Sequence, residues 1–219
     1  MKAKIINGNI IWFSSDIKYE VTSTFFRMAE FYESPFKNIR DTYFSMDMYM
    51  DTYAKANDYK FTYFDDWDGF NFPGESLLKF KETFMGDMRG KEADIIYTIG
   101  KNIDTSKKFY VIATTGDGAL KHEYAHALYY VNPEYKLACD NIYSTMSTNA
   151  LTKIHKYLTE KGYTEFTFKD ETQAYLGTNT NVEMLQEFSI GDIITYIPAI
   201  TQFRKIFQNS PKMDTTAIV

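Results

Sequence analysis

Lys121-His122-Glu123-Tyr124-Ala125-His126-Ala127-Leu128-Tyr129-Tyr130 is the stretch around which the chain is organised. It contains His-Glu-x-x-His and uses two of the three histidines in the protein. In a helix, His122 and His126 stand one turn apart on the same face. Two imidazoles then reach one metal ion, with Glu123 beside them as a base for a water on that metal. A helix is expected here on separate grounds. Leu120, Tyr124, Ala127, Leu128 and Val131 recur at i, i+4, i+7, i+8 and i+11, an apolar stripe on another side of the helix. Asp117 suits an N-cap, and Asn132-Pro133 suits a stop.

Working outward, the 219 residues are enough for one sizeable domain with a well-buried core, so a single domain over 1–219 is expected. Hydrophobic residues make up 44% and charged residues 24%, an ordinary globular balance, while the 18 Tyr and 18 Phe predict a ring-rich core. A net charge of −5 without any basic run argues against nucleic acid and against anionic membrane as partners. The single cysteine, Cys139, excludes an internal disulfide framework, fits a reducing compartment, and reads as a buried bystander. No signal peptide is evident at Met1–Asn9, and Ile193–Ile200 is too short to span a bilayer. The expectation is a soluble, cytoplasmic protein.

Ile5-Ile6, Asn7-Gly8-Asn9 and Ile10–Phe13 read as a β-hairpin, because Asn-Gly supplies the positive φ of a tight turn. Helices are expected over Thr22–Tyr32, Ser45–Ala56 and Ser76–Met85, and a half-buried strand over Tyr59–Phe64. Asp65–Gly74, with three aspartates before Gly69, has oxygen ligands for calcium but lacks the terminal glutamate of a calcium loop; a solvated turn is the better reading. Asp94–Ile99 and Phe109–Thr114 read as β-branched strands, the second running into the His-Glu-x-x-His helix. Downstream, Glu134–Met146 and Ala150–Lys161 read as helices, the latter capped by Thr148 or Asn149 and stopped at Gly162. Thr167–Asp170 resembles a capping box opening a helix over Phe168–Leu176. Asn181–Phe188 and Ile193–Phe207 follow as helices, with Pro198 a kink point and the residues from Ser210 loose. The class is α+β: helices around a small mixed sheet, with residues 1–90 unassigned, a metal-site part over 94–177 and C-terminal helices over 181–208.

Zinc with two imidazoles needs at least one more protein ligand. The candidates after the motif are Glu134, Asp140, His155, Glu160, Glu165, Glu171 and Glu183. Glu171 is the most attractive. It opens a separate short helix whose Ala174 and Tyr175, one turn on, suggest a buried face, and a buried carboxylate wants a cation. The alternative is that Asp170 and Glu171 simply favour a helix N-terminus. An oxyanion formed in hydrolysis needs a donor besides the metal, and tyrosine is a natural choice; Tyr163 is favoured slightly over Tyr175.

His122-Glu123-x-x-His126 after a strand, followed by a glutamate on a later helix, resembles the zincin metallopeptidases, more narrowly the gluzincin branch. The metzincin extension is missing, with Tyr129 where that pattern has Gly and Asn132 where it has His. The separation of His126 from Glu171 is longer than in thermolysin-like enzymes and is similar to that of lethal-factor-like toxin peptidases. Tyr175 occupies the place of the acid that thermolysin-like enzymes carry one turn after the glutamate. The composition, heavy in Lys, Asn, Ile, Tyr and Phe, is also similar to that of small zincin-like proteins of bacteriophages. The resemblance implies Zn²⁺ held by His122, His126 and Glu171, Glu123 as general base, a peptide or protein substrate, and substrate backbone pairing along the edge of Phe109–Thr114. The rival reading is an inactive metal-binding domain of the same type, used for binding or assembly.

Overall fold

Asn7 and Gly8 take φ of 52° and 73°, the left-handed values that a tight turn requires, and join β1 (Lys2–Ile6) to β2 (Ile10–Ser15). The computed structural model describes residues 1–178 and 190–214. Among them the fold is α+β, with one four-stranded sheet in the order β1-β2-β4-β3 and ten helices. β2 and β4 (Tyr110–Thr115) run parallel, pairing Ile11 with Val111 and Phe13 with Ala113. The outer pairs, β1 with β2 and β3 (Gly69–Pro73) with β4, are antiparallel. Both central strands are near-continuous apolar runs because both of their faces are buried.

The chain forms two compact units, Met1–Leu120 with Met213 and Asp214, and Lys121–Lys212. The first holds the sheet with α1 (Lys18–Glu33), α2 (Met46–Ala56), α3 (Tyr63–Asp66), α4 (Gly74–Thr83) and α5 (Gly90–Asn102). Its core is a lattice of rings: Phe25, Phe26, Phe31, Phe44, Tyr49, Tyr63, Phe72, Phe80 and Phe84 are all buried. Phe80 and Phe84 stack at 4.4 Å, while Phe31 meets both edge-on. The second unit consists, among its described residues, of α6 (Leu120–Val131), α7 (Pro133–Thr145), α8 (Thr148–Glu160), α9 (Phe168–Gly177) and α10 (Ile190–Asn209).

Several boundaries follow the sequence. Ser45 caps α2 by accepting from Met48 N, Asn132 ends α6 and caps α7, and Gly162, at φ 93°, follows the end of α8. The cap of α8 is Ser147 rather than Thr148 or Asn149. Pro198 lies inside α10, and the helix expected over Asn181–Phe188 lies outside the described residues. Of the residues expected to be loose from Ser210 onward, Pro211 is held: the Tyr124 hydroxyl donates to its carbonyl at 2.7 Å.

Four expectations are corrected. Asp94–Ile99 belongs to helix α5, not to a strand. Its buried positions, Glu92, Ile95 and Ile99, fall at helical spacing, and the Glu92 carboxylate accepts from Arg89 N to cap the first turn. Tyr59–Phe64 is a turn leading into α3; Tyr59 N closes on the Ala54 carbonyl, and Phe61, Tyr63 and Phe64 contact one another instead of alternating across a strand. The second half of the acidic Asp65–Gly74 stretch is strand β3, not a solvated turn. Asp66 accepts from Tyr53 and Thr62, and Asp68 pairs with Lys18 at 2.9 Å. The buried Asn71 accepts from the Tyr110 hydroxyl, and Gly74 passes so close to Phe109 that a Cβ there would fall 2.3 Å from the ring. Finally, β4 has no open edge for a substrate, since β2 and β3 occupy both of its sides.

Arg27, 1% exposed, crosses this aromatic core. Its guanidinium lies over Phe84 and donates to both oxygens of the fully buried Glu92 at 3.0 Å, to Asp87 and to the Asp87 carbonyl. Glu92 is shared with Arg89. An Arg27→Ala change strands a buried carboxylate and opens a cavity among the rings. A loss of about 3–5 kcal/mol is expected in urea unfolding.

Candidate metal centre

Helix α6 is buried along almost its whole length. Tyr124, Ala125, Ala127 and Leu128 are at most 2% exposed, so the apolar stripe read from the sequence packs inward. His122 and His126, on another face, are also largely withdrawn from water, at 9% and 2% exposure. Two imidazoles so placed need polar partners. They meet Glu171, 3% exposed, in the first turn of α9.

The geometry is that of ligands around a common point. His122 Nε2 and His126 Nε2 are 3.1 Å apart. One oxygen of Glu171 lies 3.5 Å from His122 Nε2, and the other lies 3.6 Å from His126 Nε2. Ligands about 2.0–2.1 Å from a tetrahedral zinc stand about 3.3 Å from one another, near these separations; the two to Glu171 are made by different oxygens, and one ligand atom from each residue gives a set within 4.8 Å. The donor chemistry agrees. His126 Nδ1 is 2.8 Å from an Asp170 oxygen, which assigns its proton to Nδ1 and turns Nε2 into a lone-pair donor. Glu171 Oε2 is buried with no hydrogen-bond partner. A carboxylate and imidazole nitrogens gathered in a dry site are stabilised by a positive charge between them. Two imidazoles and a carboxylate suit zinc, and equally suit iron(II) or another first-row dication.

Burial works against charging His126, yet Asp170 and Glu171, followed by Glu123, outweigh it and hold its pKa well above the ordinary histidine value. Glu123, 6% exposed, thus acts electrostatically on both His126 and Tyr175. The Tyr175 ring stands edge-on to His122 at 4.8 Å, and its hydroxyl is pushed up by burial and by Glu171. Tyr163 sits one ring further out, 6.4 Å from Tyr175 and hydrogen-bonded to it.

Of the other ligand candidates, Glu134, Glu160 and Glu165 are exposed. His155 bonds the Tyr143 hydroxyl at 2.6 Å and stacks on Phe168, and Asp140 pairs with Lys136 and Tyr129. Glu183 lies outside the described residues. Asp170 is the functional residue that the sequence reading missed. There it was half of a capping box, but the Thr167 side chain makes no cap bond, and Asp170 turns to His126 instead. The acid beside the His126 imidazole therefore precedes Glu171 by one residue. The doublet Asp170-Glu171 opening a helix was the available signal. Among the described residues no helix is long and apolar enough to cross a membrane. No protein-family model matches the chain, and no curated protein and no solved structure matches it either.

Zinc is expected to raise the unfolding temperature of the chelator-treated protein, with a gain of about 2.7 kcal/mol at 100-fold excess over Kd. His126→Ala and Glu171→Ala should each abolish the rise. The sign of the pH dependence follows from His126. Its raised pKa stabilises the zinc-free fold below pH 6.5, and this contribution is lost as the pH climbs through the raised value. Protons compete with zinc over the same window, so zinc affinity, followed by chelator competition, should increase with pH.

Proposed function

We propose that the protein is a zinc-dependent metallopeptidase of the zincin type, acting on a peptide or protein substrate. One observation carries the reading: the convergence of His122 Nε2, His126 Nε2 and the Glu171 carboxylate, next in the chain to an acid, Glu123, that is not one of the three. A structural zinc site is ordinarily closed by four protein ligands, whereas the three found among the described residues leave a position for chemistry. Zinc supplies Lewis acidity there, polarising a peptide carbonyl and acidifying a water.

The chain's own residues do the rest. His122 and His126 offer neutral nitrogens, the second kept in that tautomer by Asp170. Glu123 accepts the proton of the attacking water and returns it to the departing amine nitrogen. Tyr175, whose pKa burial raises, stays protonated at neutral pH, as a hydrogen-bond donor to an oxyanion must. It stands against His122, and Tyr163 bonds it from behind; of the two tyrosines, the one touching a metal ligand is assigned the donor role.

The metal content of protein purified without chelators, together with cleavage of a diverse fluorogenic peptide library, tests the proposal. One zinc per chain and library cleavage are expected. Glu123→Gln should retain the zinc and lose about 10²–10⁴-fold in kcat/KM. A zinc-loaded wild-type protein that cleaves nothing overturns the peptidase reading in favour of a metal-binding module, and stoichiometric iron overturns the zinc assignment.

A further inference from the structure

We infer that Gln173, with its side-chain amide anchored by Tyr135, is a positioning residue for the metal centre: it holds Asp170 on His126 and so keeps His126 Nε2 available to the ion. The inference rests on the metal-centre reading and extends it to residues that touch no ligand position.

Asp170 is the weak point of the site. Its side chain is 24% exposed, against 3% for His126 and 4% for Glu171, so water competes for its carboxylate. Two donors restrain it from the buried side. His126 Nδ1 lies 2.8 Å from Asp170 Oδ1, and Gln173 Nε2 donates to that same oxygen at 2.9 Å. Asp170 and Gln173 are three residues apart on α9 and therefore neighbours on its surface. One helix thus carries the ligand Glu171, the acid that orients His126, and the amide that steadies that acid.

An amide can restrain a carboxylate only in one of its two orientations. Flipped, it would turn Oε1 towards Asp170, acceptor against acceptor. Asp170, an acceptor, takes the NH₂ group, and the Tyr135 hydroxyl, from α7, donates to Gln173 Oε1 at 2.8 Å and so anchors the other end of the amide. The donors then run in one direction, from Tyr135 to Gln173 to Asp170, where they meet the proton of His126. Gln173 and Tyr135 are 1% and 5% exposed, so no solvent molecule substitutes easily for either.

The test measures zinc affinity by chelator competition alongside urea unfolding of the zinc-free proteins. Gln173→Met and Tyr135→Phe should each weaken zinc binding by about 5–10-fold, and Asp170→Asn by about 10–100-fold. In the Asp170→Asn background, Gln173→Met should add less than about twofold, because its effect passes through Asp170. In the zinc-loaded protein, the ¹⁵N and ¹H resonances of the His126 Nδ1–H group should move in both single variants. A role confined to packing would change urea stability and leave these signals and the zinc affinity in place. If Gln173→Met does not fold, Tyr135→Phe, which removes a single oxygen, carries the test. Folded variants whose zinc affinity stays within twofold of wild type overturn the inference while the metal centre stands. Wild-type protein that takes up no zinc, or whose zinc survives His122→Ala, overturns both.

Discussion

Unshared electron pairs confined to a dry space govern the second unit of this protein. Two imidazole nitrogens and a carboxylate meet within 3.6 Å, and one carboxylate oxygen has nothing to accept from. In a medium of low polarity such an arrangement is costly unless a cation occupies its centre. In the metal-free chain a proton on His126 serves, which is why the surrounding carboxylates raise its pKa in spite of burial. A dication does the same job with more charge and without a preferred bond direction. The burial of α6 and α9, the turn of Asp170 away from capping, and the chain of donors behind it all follow from keeping these groups aimed inward.

The first unit solves a different problem. Its sheet has four strands, and rings make up much of its core beside the aliphatic side chains. Rings leave edges and faces of opposite partial charge, and Arg27 exploits this by lying on Phe84 while its donors reach Glu92 and Asp87. The two units therefore treat buried charge in opposite ways. In one, a guanidinium supplied by the chain neutralises the acid; in the other, the acid lies with two imidazoles in a group that could hold a metal ion.

The α6 helix, its stripe and its stop were legible in the sequence because spacing, a cap residue and proline all agree. The hairpin was legible from Asn7-Gly8, since few other pairs take two positive φ values cheaply. The strand β3 was not legible. Asp65, Asp66, Asp68 and Gly69 mark a turn by every local rule, and only pairing with β4 makes Phe70 to Pro73 a strand. Helix α5 was misread for the converse reason: Ile95, Ile96 and Ile99 favour strands individually, but burial of Glu92, Ile95 and Ile99 on one side, with Glu92 held by Arg27 and Arg89, selects the helix. The free edge expected of β4 came from the resemblance alone, and pairing with both β2 and β3 removes it.

By itself the sequence determined that His122 and His126 share a helix face with Glu123 between them, because helical periodicity is a local property of the chain. It also made Glu171 the favoured third donor, through the burial implied one turn on. Only the tertiary structure decided that Glu171 arrives within reach of both imidazoles and that Asp170 orients one of them. Those facts depend on where α9 packs against its neighbours, a long-range outcome that no local pattern encodes.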